Sequence, residues 1–350
     1  MTHEQFEVLS NQAVAGCAAV YFLAFLAHLV QWAAGRKVAV AESVSETGRV
    51  GAREHVTAGA GASGDVATLD APATPAADEE PERMLLFGRI GVSLTVVAAA
   101  LHFLSVVTRG LAADPVRVPW GNMYEFTLTG SFVVTLGYLL LYRRYSLSWL
   151  SPVVTGFVLV VLMVDVLTLY EPVVPLQDSL QSPWLVIHVV AAVIATGGFT
   201  LGGMTSLLYL VKARWEDRGG VSRNPGGYLA RLPELKVLDR FAYRTHAFAF
   251  PIWTFAALIT GPIWAHYAWG RYWGWDPKEV WAFITWVVYA AYLHARATSG
   301  WKGRSAAIIA LVGLATLLFN FVGINFFFGS GSQHSYAAPE PTSVVLHLDA

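Results

Sequence analysis

Apolar runs broken by short polar connections recur along the whole chain. A helix that crosses a bilayer needs about 20 mostly apolar residues, and eight stretches qualify, at roughly 8–31, 84–107, 122–142, 149–169, 184–211, 246–267, 279–296 and 305–328. The pattern predicts an all-α fold, a polytopic membrane helical bundle of about eight transmembrane helices. Residues 1–34 read as an N-terminal transmembrane anchor, because Glu4 and Glu7 precede its apolar run where a cleavable signal would place basic residues. Residues 35–83 are rich in Ala, Gly, Glu and Thr without periodic apolar positions and read as a disordered cytoplasmic linker. The remaining spans form one transmembrane domain over 84–340, with a loop at 264–281 and a tail at 341–350.

Basic residues near span ends stay on the cytoplasmic side. Arg36, Lys37, Arg49, Arg53 and Arg83, then Arg143 and Arg144, then the basic residues from Lys212 to Arg244, then Arg296, Lys302 and Arg304 fall on alternate connections. The other face has only Arg109, Arg117, Arg271 and Lys278. Both termini are therefore expected to be extracytoplasmic, and the loop at 264–281 faces outward.

Composition sharpens this picture. The chain is 55% hydrophobic and 13% charged, with a mean hydropathy of +0.50, which excludes an ordinary soluble domain at about 25% charge. A net charge of −1 gives nothing for nucleic acid to bind. Cys17 is the only cysteine, so metal chemistry must come from His, carboxylates or a borrowed cofactor. The chain lacks the internal repeat common in transporters.

The segment Trp264–Trp286 holds Trp264, Trp269, Trp273, Trp275, Trp281 and Trp286, out of 13 Trp in all. Within it, Asp276-Pro277-Lys278-Glu279 reads as a helix start: Asp at the N-cap, Pro at the first helical position, and Glu placed to answer the cap's own N–H. That structural role leaves the Trp density unexplained. A lipid-interface belt supplies only about one or two such rings per helix end, so a stacking platform for a flat ligand fits better. Arg271 and Lys278 could pair with that ligand's carboxylates, although membrane lipid headgroups are an equally ordinary partner.

Ionisable residues within spans are functional candidates. His188 lies about 7 Å below the outer surface at 1.5 Å per residue, and His334 just follows the last span, in a glycine-rich stretch. Two imidazoles beside an aromatic platform are what a haem needs. His294, some 26 Å deeper along its helix than Pro277, belongs to a separate inner site that His28, His246 or a partner's residue would complete. His102 reads as a packed, hydrogen-bonded group, His266 is undecided, and Asp165, Asn320 and Asn325 are polar within apolar sequence.

These residues resemble a known family. Trp273-Gly-Trp-Asp-Pro-Lys-Glu279, with Trp269-Gly270 before it and Trp281 after it, is similar to the WWD signature of haem-handling proteins. Ser179-Leu-Gln-Ser-Pro-Trp-Leu-Val-Ile-His188, Tyr292-Leu-His294, Gly331-Ser-Gln-His-Ser-Tyr336 and Pro119-Trp-Gly-Asn-Met-Tyr-Glu125 resemble the CcsA/ResC-type subunit of system II cytochrome c maturation, over about residues 84–340. The resemblance implies a haem-handling domain in a cytochrome c synthetase complex of the cell membrane, a thylakoid being the less favoured setting. Haem b would be relayed across the membrane and presented on the outer Trp surface for attachment to the Cys-x-x-Cys-His motif of apocytochrome c. It further implies His188 and His334 as outer axial ligands, His294 as the transmembrane ligand, and Trp269, Trp273, Trp275, Asp276 and Trp281 as the haem platform. A ResB/Ccs1-type membrane partner would supply the opposite transmembrane ligand. His266 stands where the family is expected to have Asn. No general acid, base or nucleophile is identified. An electron-transfer cytochrome b and a secondary transporter of a flat aromatic solute are the rival classes.

Overall fold

The structure, a computed structural model, describes residues 1–57, 76–175, 180–220, 224, 226–298, 300–328 and 332. Among them the regular elements are helical: α1 (His3–Thr57), α2 (Ala76–Leu111), α3 (Met123–Tyr145), α4 (Ser151–Val164), α5 (Pro183–Asp217), α6 (Leu235–Thr254), α7 (Gly261–Trp269), α8 (Pro277–Thr298), α9 (Arg304–Leu318) and α10 (Ile324–Phe327). Wider π-helical turns at Asp165–Leu169, Phe255–Thr260 and Phe319–Gly323 extend α4, join α6 to α7, and join α9 to α10.

Seven helical stretches are long and apolar enough to cross a membrane: His3–Gly35, Glu82–Leu111, Met123–Tyr145, Ser151–Leu169, Pro183–Asp217, Leu235–Trp269 and Arg304–Phe327. The chain is a multi-pass membrane protein. The eighth expected span is α8, 22 residues long, whose Trp, Tyr, His and Arg residues dilute its apolar character. Helix runs on to Thr57 and resumes at Ala76, into the region read as an unstructured linker. Ala, Glu and Arg favour helix without any periodic apolar face. Residues 58–75 lie outside the described residues.

α1 lies along α2 and against α4, while α5 packs on α3, α6 and α9, and α8 on α9. Without a hydrophobic drive between helices in lipid, close contact relies on small residues. At Gly198 of α5, a Cβ would stand 2.9 Å from the Ala249 Cβ of α6, so only glycine permits this approach. One core gathers Tyr21, Leu128, Tyr138, Val154, Leu162 and Phe241. A second gathers Phe199, Trp253, Tyr289 and Leu317. Large apolar side chains such as Leu140, Leu167, Leu207 and Ile308 point outward, as a bilayer-facing surface requires.

An ion cluster ties the helices together at one end. Arg109 of α2 is fully buried; its guanidinium donates to Glu125 of α3 (3.3 Å) and Glu7 of α1 (3.4 Å), and to the Glu171 carbonyl. Glu125 also accepts from Arg117 Nη1 (2.6 Å) and from the Gly121 N–H (2.8 Å).

Candidate functional site at the tryptophan loop

The expected helix start forms as read. The Asp276 carboxylate caps α8 by accepting from the Lys278 N–H at 3.0 Å. Glu279 reaches back, its Oε2 accepting from the N–H groups of Asp276 (3.0 Å) and Gly274 (2.8 Å). Ser332 Oγ donates to Asp276 at 2.7 Å, tying the segment after α10 to the loop. Held at these points, the loop places Trp275 in the left-handed region at φ 57, where its indole is 70% exposed. Trp273 turns the other way and lines a cavity, meeting Trp275 edge to face at 5.9 Å.

His188 is set by the start of α5. Ser182 caps that helix by accepting from the Trp184 N–H (3.3 Å), with Pro183 in its first turn. The imidazole is half-buried, stacks on Trp264 at 6.0 Å and 14°, and donates from Nδ1 to the Ala256 carbonyl at 2.9 Å. A carbonyl only accepts, so the neutral ring carries its proton on Nδ1 and its lone pair on Nε2. This is how a metal-binding imidazole is commonly oriented. The carbonyl is positioned by the π-helical turn, whose closing N–H, from Gly261, also reaches Ala256 O. At Gly261 a Cβ would lie 3.2 Å from His188 Cε1 and 3.1 Å from Ala256 O, so the site is built around a glycine.

The cavity measures about 450 Å³, and its walls include His188, Trp264, Trp273, Lys278, Asn320 and Phe126. That volume is in the range of small-molecule sites. Trp273 Nε1, Asn320 Oδ1 and Thr127 Oγ1 are buried there without a hydrogen-bond partner among the described residues. Unmet polar atoms in an apolar pocket suit a ligand that carries polar groups of its own. An imidazole, indoles and a lysine lining one cavity are a donor set that fits an anionic flat macrocycle with a central metal.

The other expected residues separate. Trp269 packs edge-on against Trp264 at 4.9 Å and so backs the His188 wall. Trp281 lies on Phe319 at 4.2 Å, within the contact between α8 and the turn after α9. Lys278 Nζ donates to Asn325 Oδ1 (3.2 Å), bridging the loop to α10. Arg271 folds its guanidinium over Gly274. His266 is exposed and stacked on Tyr272 at 4.3 Å, outside the cavity walls. His102 is buried and hydrogen-bonded, to Leu128 O (2.9 Å) and Tyr21 (3.3 Å), as read. His334 lies outside the described residues.

At the inner level, His294 is exposed on α8. His246 is fully buried against Phe199, Tyr289 and Tyr292. Tyr292 stands two positions from His294, about 200° around the helix, so the two imidazoles face different sides. His28 is buried against Gly91 of α2 and bonded to Gln31. Within the chain, neither His28 nor His246 is brought to His294.

Sequence reasoning left two features unread. Trp264, counted only among the loop's Trp, is the stacking partner of His188. The motif Pro119–Glu125 is a second helix start: Asn122 caps α3 by accepting from the Glu125 N–H (2.8 Å), and Glu125 reaches back to Gly121. It seats Trp120 in the cluster with Leu185, Val189 and Trp264, behind the site. The Asn-x-x-Glu spacing was the available signal.

Residues 120–330 match the family described as Cytochrome C assembly protein. This chain belongs to the cytochrome c assembly family. It is 31% identical to the cytochrome c biogenesis protein CcsA of Mesostigma viride over 275 residues, covering 72% of this chain and 86% of that protein. It is 35% identical to the CcsA of Prochlorococcus marinus over 247 residues, covering 62% and 75% respectively. In fold it is similar to the cytochrome c heme lyase CcmF, with a TM-score of 0.56 at 17% identity, over 92% of this chain and 47% of that one. The matched region contains both helix starts, His188, His294 and the tryptophan loop.

Proposed function

We propose that this cytochrome c assembly protein is the membrane subunit that receives haem b, holds it in the cavity beside the tryptophan loop, and presents it for covalent attachment to apocytochrome c. The observation that carries the reading is His188: an imidazole fixed through Nδ1 and stacked on Trp264, whose ring lines a cavity of suitable chemistry. His334 is the second outer ligand, two positions along the chain from Ser332, which bonds to Asp276. Trp273 lines the pocket, and the exposed Trp275 stands beside it. Lys278 and Arg271 are the cations for the two propionates.

Haem supplies the vinyl groups to which the two thiols of Cys-x-x-Cys-His add, each thiol forming a C–S bond and giving its hydrogen to the neighbouring carbon. The chain's own task is to bind, orient and expose. Its residues supply no acid or base to that addition. His294, exposed on α8, is the inner ligand on a face open to a ResB/Ccs1-type membrane partner, which supplies the opposite imidazole. With the loop on the outer surface and both termini outside, the protein works in the bacterial cytoplasmic membrane, passing haem from the inner level to the outer one.

Replacing His188 and His334 together with Ala should abolish holocytochrome c while the protein still inserts. Normal holocytochrome c in that double variant would defeat the proposal.

A further inference from the structure

We propose that the end of α5 remote from the tryptophan loop binds the headgroup of an anionic phospholipid between Arg214 and Arg218. Leu207, Val211 and Arg214 follow one another at spacings of four and three, and so share one stripe of the helix, with Arg218 at the cap that ends it. Leu207 and Val211 are 53% and 43% exposed, as side chains against acyl chains are. Arg214 and Arg218 are exposed as well, so the stripe passes from hydrocarbon to cation within one turn. α5 has 35 residues, about 52 Å of helix. A bilayer with its headgroups is about 40–45 Å thick. This end of the helix therefore reaches the headgroup layer.

Three of the cations around this end are matched. Lys212 pairs with Glu216 at 3.4 Å, Arg304 with Asp217, and Arg296 with Asp239 at 2.7 Å. These pairs take up the nearby carboxylates. The Arg214 and Arg218 side chains make no ion pair or hydrogen bond among the described residues. Between them lies a hollow of about 340 Å³, walled by Val211, Trp215, Gly220 and Leu229 besides the two arginines. The Trp215 indole packs directly on Gly220, where no Cβ would fit, so the floor is fixed.

An apolar floor continuous with a lipid-facing stripe, rimmed by two guanidiniums, is complementary to a phosphodiester on an acyl chain. The two guanidiniums flank one hollow and can grip one phosphate together. A free phosphate would use the rim and leave the floor and stripe without a role.

The test uses the purified full-length chain in detergent, titrated with phosphatidylglycerol, phosphatidylcholine or inorganic phosphate. Bound lipid is counted by mass spectrometry of the intact protein. Wild type should retain phosphatidylglycerol over phosphatidylcholine, and inorganic phosphate should compete weakly. A basic residue near an anionic surface is worth about fivefold, so Arg214→Gln with Arg218→Gln should cut the preference by about twenty-five-fold. Both side chains are exposed, and unchanged helical circular dichroism would show that the variant folds. Arg143→Gln with Arg144→Gln should leave the preference intact. Equal binding of the two lipids, an unchanged preference in the Arg214/Arg218 variant, an equal loss in the Arg143/Arg144 variant, or full displacement by inorganic phosphate would each overturn the proposal. None of these readouts depends on haem.

Discussion

Glu279 holds the tryptophan loop in shape, and removing its carboxylate should damage both stability and the site. The side chain is 9% exposed and accepts two backbone N–H groups with one oxygen, Gly274 at 2.8 Å and Asp276 at 3.0 Å. Hydrogen bonds to a charged group contribute about 1.5–3 kcal/mol each, so Glu279→Ala removes at most about 3–6 kcal/mol. The loop can relax to meet water, which places the expected loss near the lower end, about 3 kcal/mol. Glu279→Gln keeps an acceptor oxygen in the same place, and with two neutral bonds of about 1 kcal/mol each retained it should lose only about 1 kcal/mol, roughly a third as much. Thermal unfolding of the purified protein in detergent measures the stability loss, and haem retained per chain measures the effect on Trp273 and Trp275. The expected order in both assays is wild type, then Gln, then Ala. An Ala variant with wild-type midpoint and wild-type haem content would refute the reasoning, because the two N–H groups would then have cost nothing to abandon.

Two other substitutions probe the supports of the site. Gly261→Val should lower haem affinity at least tenfold, with Gly261→Ala milder, because the added groups press on His188 Cε1 and Ala256 O; equilibrium titration with haem reads this. Glu125→Ala strips the fully buried Arg109 of its buried partner, a change that typically costs about 3–5 kcal/mol. It should lower the unfolding midpoint well below that of an exposed control such as Glu4→Ala, and equal midpoints would contradict the role of the ion cluster.

Much of this molecule could be read from residue order because the relevant signals are local. Apolar run length marked the eight long helices, and the Asp-Pro-Lys-Glu spacing marked the cap at Asp276. The features that escaped depend on contacts far apart in sequence. No local pattern says that the turn at Phe255–Thr260 is π-helical, yet that turn brings the Ala256 carbonyl to His188, 68 positions away. Arg109 reads as a lone basic residue in an outer connection, whereas it is buried among groups from three other segments. The Trp residues also divide in a way that composition cannot show: Trp273 lines the cavity, Trp275 stands exposed, and Trp281 is packed on Phe319. His246 and His294 lie at a similar depth, but the helical angle between Tyr292 and His294 turns them apart. Depth along a helix is legible from counting, and the facing direction is settled only by packing.

The absorption spectrum of the haem-loaded chain bears most directly on the central claim, compared between wild type and His188→Gly, each with and without added imidazole. If His188 is an axial ligand, the variant should lose or shift its Soret band, and imidazole, entering the space left by the side chain, should restore the wild-type spectrum. A His188→Gly protein whose spectrum matches wild type without imidazole would contradict the assignment of this cavity as the haem site.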